Sequence, residues 1–151
     1  ILFCRRAVKS AWIKDLPLTW LTYPQCFRIF VELILLYTFY AGIIPKEATF
    51  EGLNFDVLMG ISAPFMAYFI FHKTRLNKGI AVFWNIFGIL MILFVAFIIG
   101  SSFYNPSIWG QSSTMVSNQF LAFPYLLVAG FLAPLGIFMH AVSLAKIKAM
   151  N

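Results

Sequence analysis

Charge is what this sequence has least of. Asp and Glu together number 5 in 151 residues, and charged residues make up 11% of the chain, against about 25% in an average soluble domain. A chain that is 62% hydrophobic and 19% aromatic has too few polar groups to cover a water-facing surface, which excludes a soluble domain of this size. Cysteine is scarce too. The 2 present, Cys4 and Cys26, form no CxxC and no zinc spacing, so neither a disulfide framework nor a structural zinc site is expected. GxSxG, HExxH and Walker loops are all missing, as is any internal repeat. An enzyme is therefore the weaker reading, and no catalytic residue is assigned.

What is present is apolar sequence in long unbroken blocks, with 18 Phe in the chain. Blocks at about 27–44, 55–71, 79–100 and 120–145 each lie near the roughly 20 residues needed to cross about 30 Å of hydrocarbon. They predict an all-α polytopic membrane bundle of four transmembrane helices over 27–147. Residues 1–26 read as a basic interfacial leader carrying Trp12, Trp20 and Tyr23. The opening ILFCRR reads either as the start of that leader or as the cytoplasmic end of a fifth helix upstream of residue 1. A signal-peptide remnant would place its positive charge before the apolar residues.

The net charge of +6 follows membrane topology and not a nucleic-acid face. Arg5, Arg6, Lys9, Lys14, Lys73, Arg75, Lys78, Lys146 and Lys148 fall on one side of the blocks, and Lys46 falls on the other. The positive-inside rule then puts the N-terminal segment and the C-terminus in the cytoplasm. The loop SSFYNPSIWGQSSTMVSN carries no charge, and its Phe103, Tyr104 and Trp109 are expected to dip into the outer headgroup layer.

Between lipid-facing helices, close packing is marked by small residues at helical spacing. Such stripes are Gly60, Ala63 and Ala67; Ala81, Asn85, Gly88 and Ala96; and Ala129, Ala133 and Gly136 followed by His140 and Ser143. They predict that Asn85 and His140 face protein. Pro64, Pro124 and Pro134 fall inside the predicted spans, where each removes a backbone donor and kinks the helix.

Two polar constellations stand out. The first is an intramembrane cluster of Arg28, Glu32, Asn85 and His140, with His72 at the same cytoplasmic side. Arg28 is expected to snorkel to the interface, with Glu32 about 6 Å deeper. Arg before Glu is the less favourable order for an intrahelical pair, so Glu32 is expected to find His140 or Asn85 on another helix. Glu32 is the residue to suspect as proton carrier or ligand contact; otherwise it belongs to a buried pair that fixes helix register. Haem ligation by His72 and His140 is set aside because His72 abuts HKTR at the surface, and no cofactor or metal is assigned. The second constellation is an outer cluster of Glu47, Glu51, Asn54 and Asp56 beside Lys46. It reads as helix capping by Asn54 or Asp56, or as a cation or headgroup site completed by Asn118 and Gln119.

TFEGLNFDVLMGISAP (Thr49 to Pro64), together with FWNIFG (Phe83 to Gly88) and FPYLLVAGFLAPLGIFMHAVSLAKI (Phe123 to Ile147), resembles an uncharacterised family of bacterial multi-pass inner-membrane proteins. The resemblance runs from about residue 27 onward. It implies a bacterial inner membrane, transfers no activity, and draws attention to Glu51, Asn54 and Asp56. The functions that fit are a small scaffold or accessory subunit of a membrane complex, an oligomeric transporter or permease using Glu32 and His140, and, third, a lipid-active enzyme at the outer carboxylates. The partners expected are the bilayer and either a membrane-protein partner or a second copy of the chain, with no nucleic acid.

Overall fold

The computed structural model describes residues 15–72 and 77–150. Expectations for Cys4, Trp12, the leader's Arg5, Arg6, Lys9 and Lys14, an upstream helix, and loop residues Lys73 and Arg75 lie outside the described residues. Within them, all regular structure is helical: α1 (Leu18–Thr22), a 3₁₀ turn (Tyr23–Cys26), α2 (Phe27–Tyr40), α3 (Asp56–His72), α4 (Lys78–Ser102), and a π turn (Val128–Leu132) that runs into α5 (Ala133–Ala149). Among the described residues, two helices are long and apolar enough to cross a membrane, α4 with 25 residues and the continuous Val128–Ala149 segment with 22. The expectation of four such helices is corrected to two. With 14 residues, α2 reaches only about 21 Å, and α3 has 17 residues.

Local chemistry explains why α2 stops early. Gly42 adopts φ +72°, a left-handed conformation that glycine takes without a Cβ clash. Its N–H donates to Phe39 O at 2.8 Å, and the Ile43 N–H donates to Thr38 O at 3.0 Å, the paired bonds of a Schellman ending. The helix therefore ends at Tyr40 and does not run on to Ile44; Ile43 and Ile44 turn back into the core.

The following loop holds itself together. Thr49 donates to Lys46 O from its backbone N–H at 2.9 Å and from Oγ1 at 2.8 Å. The Leu53 N–H reaches Glu47 O at 3.1 Å, and the Asn54 N–H reaches Thr49 O at 3.1 Å. Gly52 lies so close to Lys46 O that a Cβ would collide, with Glu47 Cα 2.5 Å away. The loop returns along α2, so α3 starts beside the first turn of α2: a Cβ on Gly60 would sit 3.0 Å from Ile29 N. From there α3 packs against α1 and the 3₁₀ turn. Residues 18–40 thus form one broken rod, with the returning loop along α2 and α3 against α1, the 3₁₀ turn and the first turn of α2.

The bundle consequently begins at Leu18 and not at residue 27. Leu18, Leu21, Thr22 and Gln25 are buried, while Trp20 and Tyr23 stay exposed. The fourth predicted block is also shortened. Residues 118–121 form a 3₁₀ turn and helix starts only at Leu126, which leaves Pro124 outside it; Pro134 sits at the start of α5 and Pro64 inside α3. Of the predicted stripes, Gly60, Ala63, Ala67, Ala81, Asn85, Gly88, Gly136, His140 and Ser143 are buried, whereas Ala96 and Ala129 are exposed. In the uncharged loop Tyr104 is exposed. Trp109 instead folds back on α4, donating from Nε1 to Ser101 Oγ at 2.8 Å and stacking edge-on against Phe94 and Phe97. One apolar core gathers Leu35, Ile43, Ile44, Ile98, Val116 and Phe120. A second gathers Leu18, Leu21, Ala81, Met139, Val142 and Ile147.

Candidate functional site: a buried charge cluster and its cavity

At the point where α3 begins, four helical segments bring charged and polar side chains together away from water. Arg28 and Glu32 are each 1% exposed, and Asn54 and His140 are 0% exposed. The Arg28 guanidinium faces Asp56 in a bidentate pair: Nε donates to Oδ2 at 2.8 Å and Nη2 donates to Oδ1. This parallel geometry is the strongest that arginine makes with a carboxylate. Nη2 also donates to Gly88 O at 3.1 Å, and Nη1 reaches His140 Nε2 at 2.9 Å.

These contacts fix the histidine tautomer. Arginine is a donor only, so His140 Nε2 accepts. Asn85 Nδ2 donates to Ala81 O at 2.8 Å, which leaves Asn85 Oδ1 to accept from the His140 Nδ1–H at 2.9 Å. The ring is therefore the neutral Nδ1–H form. Gly88 admits it: a Cβ there would collide with His140 Nε2 and lie 3.0 Å from Met59 Cε. Trp84 closes the other side, edge-on at 5.1 Å between ring centroids, and donates from Nε1 to Ser62 Oγ at 2.9 Å.

Asn54 joins this cluster to Glu32. Its Oδ1 accepts from the Asp56 N–H at 2.9 Å, capping α3, while Nδ2 donates to Ala48 O at 3.1 Å and to Glu32 Oε1. The Phe50 backbone amide lies beside the same carboxyl group. Glu32 Oε2 is buried without a hydrogen-bond partner among the described residues. Glu32, Arg28 and Asp56 form the polar wall of a cavity of about 110 Å³. The remaining walls are apolar, including Val31, Leu35, Ile92, Val95, Val128 and Leu132.

Depth within the bundle follows from residue counting. Arg28 follows Leu18, Gly88 follows Lys78, and His140 precedes Ala149 by about 15 Å each at about 1.5 Å per residue. The same end of the bundle holds Lys78, whose Nζ donates to Met150 O at 3.0 Å, and Lys146, whose Nζ donates to Leu16 O.

The predicted intramembrane set of Arg28, Glu32, Asn85 and His140 does come together. Two expectations within it change. Arg28 does not snorkel; it is buried and paired. The partner of Glu32 is Asn54 on the returning loop, and not His140 or Asn85. The predicted outer cluster splits: Asn54 and Asp56 join the buried site, while Glu47 and Glu51 stay at the periphery. There Glu47 Oε2 accepts from Ser113 Oγ at 3.0 Å, and Glu51 Oε1 accepts from Tyr40 Oη at 2.9 Å. Asn118 and Gln119 are exposed, and Asp56 is paired with Arg28. His72 ends α3, and its side chain lies outside the described residues.

Gln25, which donates from Nε2 to Gly136 O at 3.3 Å, and the Trp84–Ser62 bond carry no sequence signal that singles them out. Asp56 does carry one. Of the 5 acidic residues, only Glu32 and Asp56 are flanked on both sides by apolar residues within an apolar block. A buried arginine needs such a partner. Compared with family models, characterised proteins and solved structures, the chain matches none.

Proposed function

We propose that this chain is a four-pass membrane protein of carrier or permease type, with its binding site in the cavity beside Glu32. The observation that carries this reading is the buried Glu32, whose Oε2 has no hydrogen-bond partner among the described residues, at a cavity beside the start of α3. Discontinuous helices whose ends meet a ligand near the bilayer midplane recur in secondary transporters. A site about 15 Å from one end of the Leu18–Tyr40 rod, of α4 and of α5 matches the middle of a hydrocarbon layer about 30 Å thick.

The pass count rests on length and surface. Besides α4 and Val128–Ala149, the broken rod Leu18–Tyr40 is long enough at about 1.5 Å per residue to cross. The returning loop and α3 together make the fourth pass. Phe30, Phe65, Phe83 and Phe97 stand more than half exposed on these segments, which suits contact with lipid. Lys78, Lys146 and Lys148 at one end, against Lys46 at the other, support a cytoplasmic C-terminus. The resemblance of TFEGLNFDVLMGISAP supports a bacterial inner membrane. Four passes are few for a solitary carrier, so the working unit is a homo-oligomer.

A small scaffold or accessory subunit is the second reading. Its support is that Arg28, Asp56, Asn85 and His140 all find partners within the bundle, as a cluster that only fixes helix register would do. A lipid-active enzyme has least support, because Asp56 is engaged by Arg28 and is not free for acid or base chemistry. Native mass spectrometry of the full-length protein, taken from its own membrane in mild detergent, tests the choice. A homo-oligomer that retains a small molecule supports the carrier. A stoichiometric foreign subunit without one overturns it.

A further inference from the structure

One cation and two carboxyl groups meet in the buried cluster, and the cation is committed. Arg28 donates to both Asp56 oxygens and to Gly88 O, and it faces His140 Nε2. None of these bonds reaches Glu32, which has no ion pair among the described residues. The other groups packed around it bring no charge. His140 is neutral, with both ring nitrogens engaged, while Ile92 and Val95 of α4 and Val128 and Leu132 of the π turn cannot ionise. Glu47 and Glu51 stay at the periphery with Lys46. The one donor bonded to Glu32 among the described residues is an amide of fixed orientation: Asn54 Oδ1 accepts from the Asp56 N–H, so Nδ2 faces Glu32 and donates to Oε1. Oε2 receives none. A carboxylate only accepts and carries a full charge. Buried with one amide donor and no cation, it costs far more than a neutral acid whose O–H lacks an acceptor.

We propose that Glu32 is a proton-binding site: the closed bundle holds it as the neutral acid with the proton on Oε2, and loss of that proton opens the returning loop. The step breaks one O–H bond; Oε2 keeps the electron pair and the proton passes to water. Glu32 is 1% exposed, and Ala48, Thr49 and Asn54 of the loop are 0% exposed, so water needs an opening. The loop is the element that holds the carboxyl group, and its own bonds from Thr49, Leu53 and Asn54 let it move as one piece. The closed state then binds one more proton than the open one, so the ratio of open to closed rises with pH, by up to about tenfold per unit. On the carrier reading, which this deepens, the proton is the ion that drives the cycle.

The test has two readouts, both on the full chain in lipid nanodiscs. Infrared spectra with carbon-13 glutamate report the carbonyl stretch of a protonated glutamic acid. At pH 6, where an exposed glutamate with its pKa of about 4.3 is ionised, the unaltered chain should show that band. The band should survive Glu47→Gln with Glu51→Gln and vanish in Glu32→Gln, which keeps an acceptor for Asn54 without a proton to lose. Its absence from the unaltered chain overturns the proposal. The second readout is the rate at which Thr49→Cys reacts with a membrane-impermeant thiosulfonate, divided by the rate of the exposed Gln111→Cys to remove the pH dependence of the thiol. Between pH 6 and pH 9 this ratio should rise at least about tenfold, and it should stay flat when Glu32→Gln is added. A flat ratio in the presence of Glu32, or an equal rise in its absence, overturns the link between proton and loop. Should Glu32→Gln fail to fold, the labelled band with Glu47 and Glu51 replaced still assigns the proton. Neither readout depends on the oligomer or subunit found by native mass spectrometry, so failure of the proton site and failure of the carrier reading are told apart.

Discussion

Arg28 and Asp56, 28 positions apart in the chain, meet through two parallel hydrogen bonds inside the bundle. Each makes the other tolerable there. Replacing either alone by Leu strands a buried charge, a change that costs about 3–5 kcal/mol. Replacing both should cost clearly less than the sum of the single changes. Reversible unfolding in mixed micelles measures all three variants, and strict additivity would show that the two side chains do not act as a pair.

Gly88 is the position where α4 admits the His140 ring. Gly88→Ala should lower stability by about 1–3 kcal/mol through overpacking. The loss should shrink in a His140→Ala background, because the colliding ring is gone. Thermal melting of the two variants and their combination decides this, and an unchanged loss would place the collision elsewhere.

Asn54 both caps α3 and holds Glu32. Asn54→Ala should cost about 2 kcal/mol or more, combining a lost cap with a carboxyl group left without its donor. Asn54→Asp keeps the cap oxygen but sets a third carboxylate beside Glu32 and Asp56. Its defect should therefore be larger at neutral pH and relieved as acid protonates the introduced group. Unfolding midpoints of this variant at pH 5 and pH 8, against the unaltered chain, provide the check.

The returning loop makes the four-pass reading testable by access. On a cysteine-free background, Lys46→Cys and Gln111→Cys should react with a membrane-impermeant maleimide from one face, and Lys148→Cys from the other. Thr49→Cys should resist from both sides, because Thr49 is 0% exposed. Labelling of Lys46→Cys and Lys148→Cys from the same face would overturn the arrangement.

What the sequence revealed, and what it hid, follows the range of each interaction. Small residues three or four apart are a local pattern, so the buried faces through Gly60, Ala63 and Ala67 and through Gly136, His140 and Ser143 were legible, as was the inward orientation of Asn85. The helix content was legible for the same reason. The path of the chain between Tyr40 and Asp56 was not. Hydropathy carries the first block through Ile44, yet the stop is set by one left-handed glycine and two backbone bonds, to which an apolar count is blind. Once the loop folds back, Asp56 moves from the outer end of a span to the side of Arg28. Linear charge placement had assigned those two residues to opposite ends. The partner of Glu32 was missed for the same reason, since Asn54 reaches it only by way of the returning loop.

The reach of each contact along the chain also has a consequence for biogenesis. Arg28 finds Asp56 within 28 residues, whereas His140 lies 112 residues from Arg28 and 55 from Asn85. During synthesis, the arginine and the aspartate emerge close together and, on the four-pass reading, can enter the membrane already neutralised, as one hairpin. Asn85 follows, and His140 arrives 55 residues after it. The ring then slots against Gly88 as a late latch, so a nascent chain halted before α5 would hold its charges paired but its bundle open.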